Sequence, residues 1–129
     1  MATIRPFMAI RPAAPHAEAV AALPYDVMNS EEAREMVQGK PHSFLHIDKA
    51  EIDLPVGTDL YSDAVYAKAK ENLEHMIQEG VFGQDTLPNL YIYRLTMNGK
   101  SQTGLVCCTS VDEYLDETIK KHELNRADQ

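Results

Sequence analysis

Residues 90–109 read LYIYRLTMNGKSQTGLVCCT, and this stretch decides the fold class. Two runs rich in aromatic and β-branched residues, which favour strands, flank Asn98 and Gly99. An Asn-Gly pair tolerates the positive φ angles that a two-residue type I′ turn needs at both central positions. Such a turn places Met97 opposite Lys100 and thereby fixes every later pair. The stretch therefore predicts an antiparallel β-hairpin.

One face of the hairpin is more apolar than the other. Ile92 lies opposite Leu105 on this face, and we expect it to pack against a helix. The longest helix is predicted at residues 59–79, because apolar residues recur there at spacings of three and four. This core-facing stripe consists of Val65, Ala69, Leu73, Met76 and Ile77. The sequence therefore predicts an α+β fold, with helices packed on a small, mostly antiparallel sheet that contains the hairpin.

Shorter signals place three further elements. Asn29 and Glu32 have the spacing of a capping box, which predicts that a helix begins there. Ser110 and Glu113 repeat this spacing and predict a second helix start. Residues 43–47, SFLHI, predict a short strand, with Phe44 and His46 on one face and Leu45 and Ile47 on the other.

The composition is that of an acidic globular domain. Twelve Lys and Arg against twenty Asp and Glu give a net charge of −8 over 129 residues, a length that suits a single domain. Nucleic acid and anionic lipid both attract basic surfaces, so we expect neither a nucleic-acid nor a membrane partner. Cys107 and Cys108 are adjacent, so a disulfide between them could not cross-link distant parts of the fold. Structural disulfides are typical of secreted proteins, and we therefore expect a cytoplasmic location.

A first candidate site is the stretch PYDV at residues 24–27. It could form a plain turn in which Asp26 caps backbone amides. It could also line a pocket, with Tyr25 as a wall and Asp26 as a hydrogen-bond acceptor. The residues alone leave both interpretations open.

A second candidate site is the densest polar cluster, which lies near the carboxy terminus and consists of Lys120, Lys121, His122, Glu123 and Arg126. Phosphoryl transfer needs cations for the phosphates and a base for the hydroxyl, and both are present in this cluster. The alternative is a solvated basic cluster after a helix, where the negative end of the helix dipole favours cations.

A metal site is not expected. On the predicted strand, His42 and His46 would lie about 13 Å apart, too far for a shared zinc ion. On a helix their spacing would suit one, but Pro41 and the residues that favour strands argue against a helix there. A metal-dependent role through His42, His46 and His122 is therefore only a minor third hypothesis.

Four motifs in a fixed order carry a family resemblance. They are PYDV at residues 24–27, SFLH at 43–46, YR at 93–94 and IKKHE at 119–123. Together they resemble the amino-terminal part of the domain-of-unknown-function 1015 family, from Ile4 to the last residue. Members of that family are bacterial and archaeal proteins that are often encoded beside serine-biosynthesis enzymes.

The resemblance implies a function. Family members are much longer and carry a later Asp-Gly-His-His-Arg-Tyr motif, which resembles one in free-serine kinases of the ParB/sulfiredoxin-like fold. By this likeness Glu123 would be the general base that takes the proton of a serine hydroxyl. ATP or ADP with Mg would serve the parent enzyme, and its substrate would be a small, serine-like molecule. The residues implied to bind substrate or phosphate are Tyr25, Asp26, Lys120, Lys121, His122 and Arg126.

Two departures shape the expectation for this chain. It has no Asp-Gly-His-His-Arg-Tyr motif, and Asn125 stands where the family usually has Thr. We therefore expect residues 1–129 to be one amino-terminal domain, a fragment of a longer protein whose catalytic core starts near residue 119. Alone it should be inactive and bind no cofactor. The alternative is a non-catalytic binding or assembly module, which would form a homodimer through an exposed strand edge or a helix face.

Overall fold

The computed structural model of the chain describes residues 1–121. The contacts divide the chain into two compact units. The helical unit is Ile10–Gln84, and the hairpin unit combines Met1–Ala9 with the chain from Asp85 onward. None of the described helices has the length and apolar character that crossing a membrane requires.

Eleven regular elements are found among the described residues. In chain order they are β1 (Ile4–Arg5), β2 (Ile10–Pro12), α1 (Ala17–Val20), α2 (Ser30–Met36), α3 (Leu45–Asp48), α4 (Asp63–Gln78), β3 (Phe82–Gln84), β4 (Tyr91–Met97), β5 (Lys100–Val106), β6 (Cys108–Thr109) and α5 (Val111–Leu115). Antiparallel pairs join β1 to β6, β2 to β3 and β4 to β5. The predicted α+β fold class is confirmed.

Helix α4 is the predicted long helix, and it begins four residues later than expected, at Asp63. The delay has a local cause, because the Asp59 side chain accepts a hydrogen bond from the Tyr61 amide and closes a turn first. Val65 and Met76 of the predicted stripe are buried. Helix α2 also begins as predicted, since Asn29 and Glu32 form a complete capping box.

The buried side chains of the helical unit form two apolar clusters. The first consists of Val20, Met76, Val81 and Phe82, and it joins α1, the end of α4 and β3. The second consists of Ala33, Leu45 and Ile52, and it joins α2, α3 and a 3-10 turn at Ala50–Asp53. The second cluster holds together the short elements that surround the cavity described below.

The strand predicted at residues 43–47 is wrong. This segment forms a turn that leads into α3, with local hydrogen bonds from the His46 amide to the Ser43 carbonyl and from the Ile47 amide to the Phe44 carbonyl. Leu45 is 2 % exposed and packs between α2 and the following turn. A segment with strand propensity becomes a strand only where neighbouring strands pair with it. Here the burial of Leu45 between helical elements stabilises the turn and short helix instead.

The hairpin unit contains the predicted β-hairpin in the predicted register, with Met97 opposite Lys100 and Tyr93 opposite Gly104. Asn98 and Gly99 both have positive φ angles, 51° and 74°, as the type I′ turn requires. The expectation of a buried apolar face is wrong, since Ile92 is 69 % exposed. All buried side chains among residues 1–121 belong to the helical unit.

Helix α5 begins at the predicted place, yet only half of its predicted capping box forms. The Ser110 hydroxyl accepts a hydrogen bond from the Glu113 amide. The Glu113 carboxylate instead accepts hydrogen bonds at 2.7 Å from the amide and the hydroxyl of Thr3. These two bonds lower the pKa of Glu113. The side chain that the sequence assigned to a cap therefore ties the amino terminus to α5.

Candidate functional site

The helical unit contains a cavity of about 420 Å³ with aromatic walls. Four aromatic side chains line it, and these are Tyr25, Phe44, Tyr61 and Tyr66. Three charged residues also line it, and these are Asp48, Lys49 and Glu51. We name this feature the tyrosine cavity. An apolar wall beside a few polar groups is the usual composition of a small-molecule site.

A second recess of about 490 Å³ is larger but more open. It lies between the 3-10 turn at Tyr25–Val27 and α2, and aliphatic residues and the carboxylates of Glu32 and Glu35 line it. No aromatic ring and no cation contributes to its lining. The tyrosine cavity is therefore the better candidate among the described residues.

The aromatic walls come from three segments. Tyr25 opens the 3-10 turn that follows Pro24, whose fixed φ favours such a start. Tyr66 lies in the first turns of α4, and Tyr61 lies in the turn that precedes it. Phe44 precedes α3, and its ring meets the ring of Phe82 edge to face with centroids 6.4 Å apart. This contact anchors Phe44 to the apolar core.

A buried ion pair forms the polar side of the cavity. Lys49 Nζ lies 3.3 Å from Glu51 Oε1, and the Ser30 hydroxyl donates a hydrogen bond of 2.7 Å to the same oxygen. Burial alone would raise the pKa of Glu51. The hydrogen bonds from Ser30, the Glu51 backbone amide and Lys49, with the charge of Lys49, outweigh it and lower that pKa. Glu51 is therefore held as a carboxylate.

Asp48 has a different environment. It is the last residue of α3, and no residue among 1–121 donates a hydrogen bond to its carboxylate. Partial burial raises the pKa of Asp48; the charge of Lys49 opposes this shift, and the charges of Asp26 and Glu51 add to it. Asp48 is thus the charged group of the cavity that protein contacts satisfy least.

Arg34 fixes the segment that carries Glu51. From α2, its guanidinium donates hydrogen bonds to the backbone carbonyls of Glu51 at 2.8 Å and of Ile52 and Leu54 at 3.2 Å each. The Glu51 carbonyl also accepts a hydrogen bond from the Leu54 amide, and the bonds from Arg34 add to this contact and stabilise the end of the turn. The backbone under the ion pair is therefore rigidly supported.

A second polar cluster joins the three segments around the cavity. His46 Nδ1 lies 2.9 Å from the Asp53 carboxylate. The Asn72 amide donates hydrogen bonds to the His46 carbonyl at 2.6 Å and to Asp53 Oδ2 at 2.8 Å. The cluster links α3, the 3-10 turn at Ala50–Asp53 and α4, all of which contribute residues to the tyrosine cavity.

The residues predicted as a site from the sequence fall into three groups. Tyr25 and Asp26 belong to the helical unit, where Tyr25 lines the cavity and the charge of Asp26 acts on Asp48. Lys120 and Lys121 belong to the hairpin unit, where Lys121 Nζ lies 4.5 Å from the ring centre of Tyr114. His122, Glu123 and Arg126 lie outside the described residues. Their binding and catalytic roles stay predictions.

The two histidines weighed for a metal site have other neighbours. His42 lies 3.7 Å from a carboxylate oxygen of Glu79, and its ring meets the ring of His16 edge to face. His46 contacts Asp53 instead. Across residues 1–121, no group of three or more His, Cys, Asp or Glu is arranged to hold a metal ion.

The sequence did not single out Asp48, Lys49, Glu51 or Tyr66 as site residues. The first three follow the segment that was wrongly predicted as a strand. Lys49, with φ −128° and ψ 54°, separates α3 from the following 3-10 turn, so residues 48 and 51 do not share one helix face. The sequence therefore carried no clear signal for this group.

One family matches the chain over residues 4–129, and its description is "Protein of unknown function (DUF1015)". The chain belongs to this family. The resemblance drawn from the four ordered motifs is thereby confirmed. Neither the curated proteins nor the solved structures that were compared contain a match. The family description assigns no activity, so the chemistry must be argued from the site itself.

Proposed function

We propose that the tyrosine cavity binds a small amino acid, and that the chain is the substrate-binding, amino-terminal part of a free L-serine kinase that is inactive without the rest of the enzyme. The observation that carries this proposal is the cavity of about 420 Å³, whose lining combines three tyrosines with Asp48 and Lys49. Its volume is within the range of small-molecule sites.

The chemistry of the walls suits a small amino acid. Tyrosine rings offer apolar contact, and their hydroxyls both donate and accept hydrogen bonds. Asp48 offers a carboxylate to the ammonium group of a free amino acid, while Lys49 beside it is paired with Glu51. A nucleotide base or a lipid chain would leave the Asp48 carboxylate without a partner, at a cost in free energy.

The phosphoryl-transfer step rests on the ordered motifs. In it the serine hydroxyl oxygen attacks the terminal phosphorus of ATP or ADP, the bond from that phosphorus to the bridging oxygen breaks, ADP or AMP leaves, and the hydroxyl proton passes to Glu123. Lys120, Lys121, His122 and Arg126 would balance the phosphate charge. Mg²⁺ would accompany the nucleotide, and no described residue is assigned to hold the ion.

Phosphoserine formation by the product of the complete gene tests the kinase. The expected result is product from L-serine, and a loss of at least about a hundredfold in Glu123→Ala, as for removal of a general base. Glu74→Ala removes the same charge from an exposed position on α4 and should leave the rate unchanged. No product, or full activity in Glu123→Ala, would refute the kinase.

A second function, assembly without chemistry, is favoured by the exposed hairpin. Strand β5 pairs only with β4 among the described residues, and Ile92, Leu95 and Leu105 are all more than half exposed. An uncovered strand edge pairs readily with another strand, and two copies could join antiparallel edges about a two-fold axis.

Light scattering over a range of concentrations tests this second function. Thr103 lies opposite Arg94, in a pair whose outward amide is free for another strand. Thr103→Pro removes that amide, whereas Thr103→Ala keeps it, and both lose the hydrogen bond from Arg94 to the Thr103 hydroxyl. A dimer that only the proline variant abolishes supports edge pairing. A strict monomer at every concentration contradicts it.

A further inference from the structure

Lys49 is already occupied within the protein. Its ammonium lies 3.3 Å from Glu51, and the two side chains are 11 % and 8 % exposed. Glu51 in turn is held by Ser30, and the turn that carries it is held by Arg34. An anionic ligand would have to break this pair to reach Lys49, and a broken pair leaves a buried charge uncompensated.

Asp48 remains available. Its carboxylate accepts no hydrogen bond from residues 1–121, and its exposed side reaches the tyrosine cavity. The charges of Asp26 and Glu51 both act on it, and Lys49 is the opposing cation. With Lys49 paired, the net charge that a ligand meets is negative.

The aromatic side chains of the cavity also favour a positively charged ligand group. Tyr25, Tyr61 and Tyr66 are 43 %, 63 % and 58 % exposed, although they line one cavity. The face of an aromatic ring carries partial negative charge and attracts a cation placed over it. Aromatic rings together with a carboxylate are a usual way to hold an ammonium group.

We propose that the tyrosine cavity contains an ammonium subsite, in which Asp48 accepts hydrogen bonds from a primary ammonium group and the ring of Tyr66 packs over it. This rests on the proposed function, because it assumes that the cavity is the ligand site, and it adds which group of the ligand is recognised. The ligand is thus a primary amine, and its carboxylate contributes less to binding.

Two ligands of serine size test the contributions of the ammonium group and the carboxylate separately. Serinol carries the ammonium group and two hydroxyls without a carboxylate, and glycerate carries the carboxylate and hydroxyls without an ammonium group. Each is titrated into the 129-residue chain, and amide shifts of residues around the cavity are followed by NMR. We expect serinol and L-serine to shift the amides of Asp48 and Tyr66, and glycerate to leave them unmoved.

Variants then identify the groups. Asp48→Asn keeps the shape and removes the charge, and we expect it to weaken serinol binding by about tenfold or more, as for a lost charged hydrogen bond. Tyr66→Phe should bind as the unmodified chain does, and Tyr66→Leu should bind more weakly, because only the ring is required. Glu74→Gln makes the same charge change on the exposed side of α4 and should have no effect.

The outcomes distinguish the two proposals. Glycerate binding with serinol inert, or serinol binding that Asp48→Asn leaves intact, overturns the ammonium subsite while the cavity remains a ligand site. If L-serine, serinol and glycerate all leave the cavity amides unmoved, both proposals fall. Serinol binding that depends on Asp48 supports the subsite even if the kinase assay shows no product.

Discussion

Replacing Glu51 by Gln should destabilise the helical unit in a manner that depends on pH. Glu51 is 6 % exposed, accepts a hydrogen bond from Ser30 and pairs with Lys49. Gln keeps an acceptor for Ser30 but removes the charge that Lys49 faces. A charged hydrogen bond contributes about 1.5–3 kcal/mol, and Lys49 can turn partly toward water, so we expect the free energy of unfolding to fall by about 2 kcal/mol at pH 7.

The sign of the pH dependence follows from the pKa of Glu51. Folding lowers that pKa below its usual value of 4.5, so the folded state favours the ionised carboxylate. The resulting stability is fully present above pH 4.5 and is lost as the pH falls through the lower pKa of the folded state. The difference between Glu51→Gln and the unmodified chain should therefore be largest at neutral pH and shrink in acid.

Urea unfolding followed by circular dichroism at pH 7 and in acid measures this difference. Helices dominate that signal and lie mostly in the helical unit. Glu74→Gln is the matched control, because Glu74 is 57 % exposed and its pair with Lys70 should contribute only about 0.3–0.5 kcal/mol. A Glu51→Gln variant as stable as this control at pH 7, or equally destabilised at both pH values, would refute the reasoning.

Three further outcomes are expected. Asn72→Leu removes hydrogen bonds to His46 and Asp53 and should lower the free energy of unfolding by about 1–3 kcal/mol. Urea unfolding measures this change, and an unchanged midpoint would contradict the role of Asn72. Gly99→Ala, at a φ of 74°, should cost about 1 kcal/mol and weaken the cross-strand NOEs of the hairpin, which a fully retained NOE pattern would disprove. Serinol affinity should decrease as the pH is lowered and Asp48 becomes protonated. Because the pKa of Asp48 is raised, this decrease should begin at a higher pH than for an Asp with the ordinary pKa of 3.8. NMR titration across pH 3–7 checks this, and an affinity that does not change with pH contradicts it.

Local chemistry made much of the fold predictable. The hairpin register follows from Asn98 and Gly99 alone, because only residues that tolerate positive φ close such a turn. The capping box of Asn29 and Glu32 likewise acts within one turn of helix. These two features depend on neighbours within a single turn and could be derived from the sequence.

Features set by distant neighbours could not. Residues 43–47 alternate as a strand does, yet Leu45 is buried against Ala33 and Ile52, which the alternation cannot reveal. The candidate site depends on the same contacts, since Glu51 meets Ser30 across 21 positions of the chain. Of the cavity walls, only Tyr25 was anticipated, because Pro24 marks its turn.

The order in which the chain folds follows from where the helical unit is inserted. Residues 10–84 begin and end in one antiparallel pair, with Ile10 opposite Gln84, so the ends of this segment lie about 5 Å apart. Once that segment has folded, Ala9 and Asp85 are already neighbours, and the Asp85 amide donates to the Ala9 carbonyl at 2.9 Å. The bridge between Phe7 and Asn89 then closes a loop of a few residues instead of one of about eighty, which greatly reduces its entropic cost. The interior of the sequence should therefore become ordered first and bring its two flanks together.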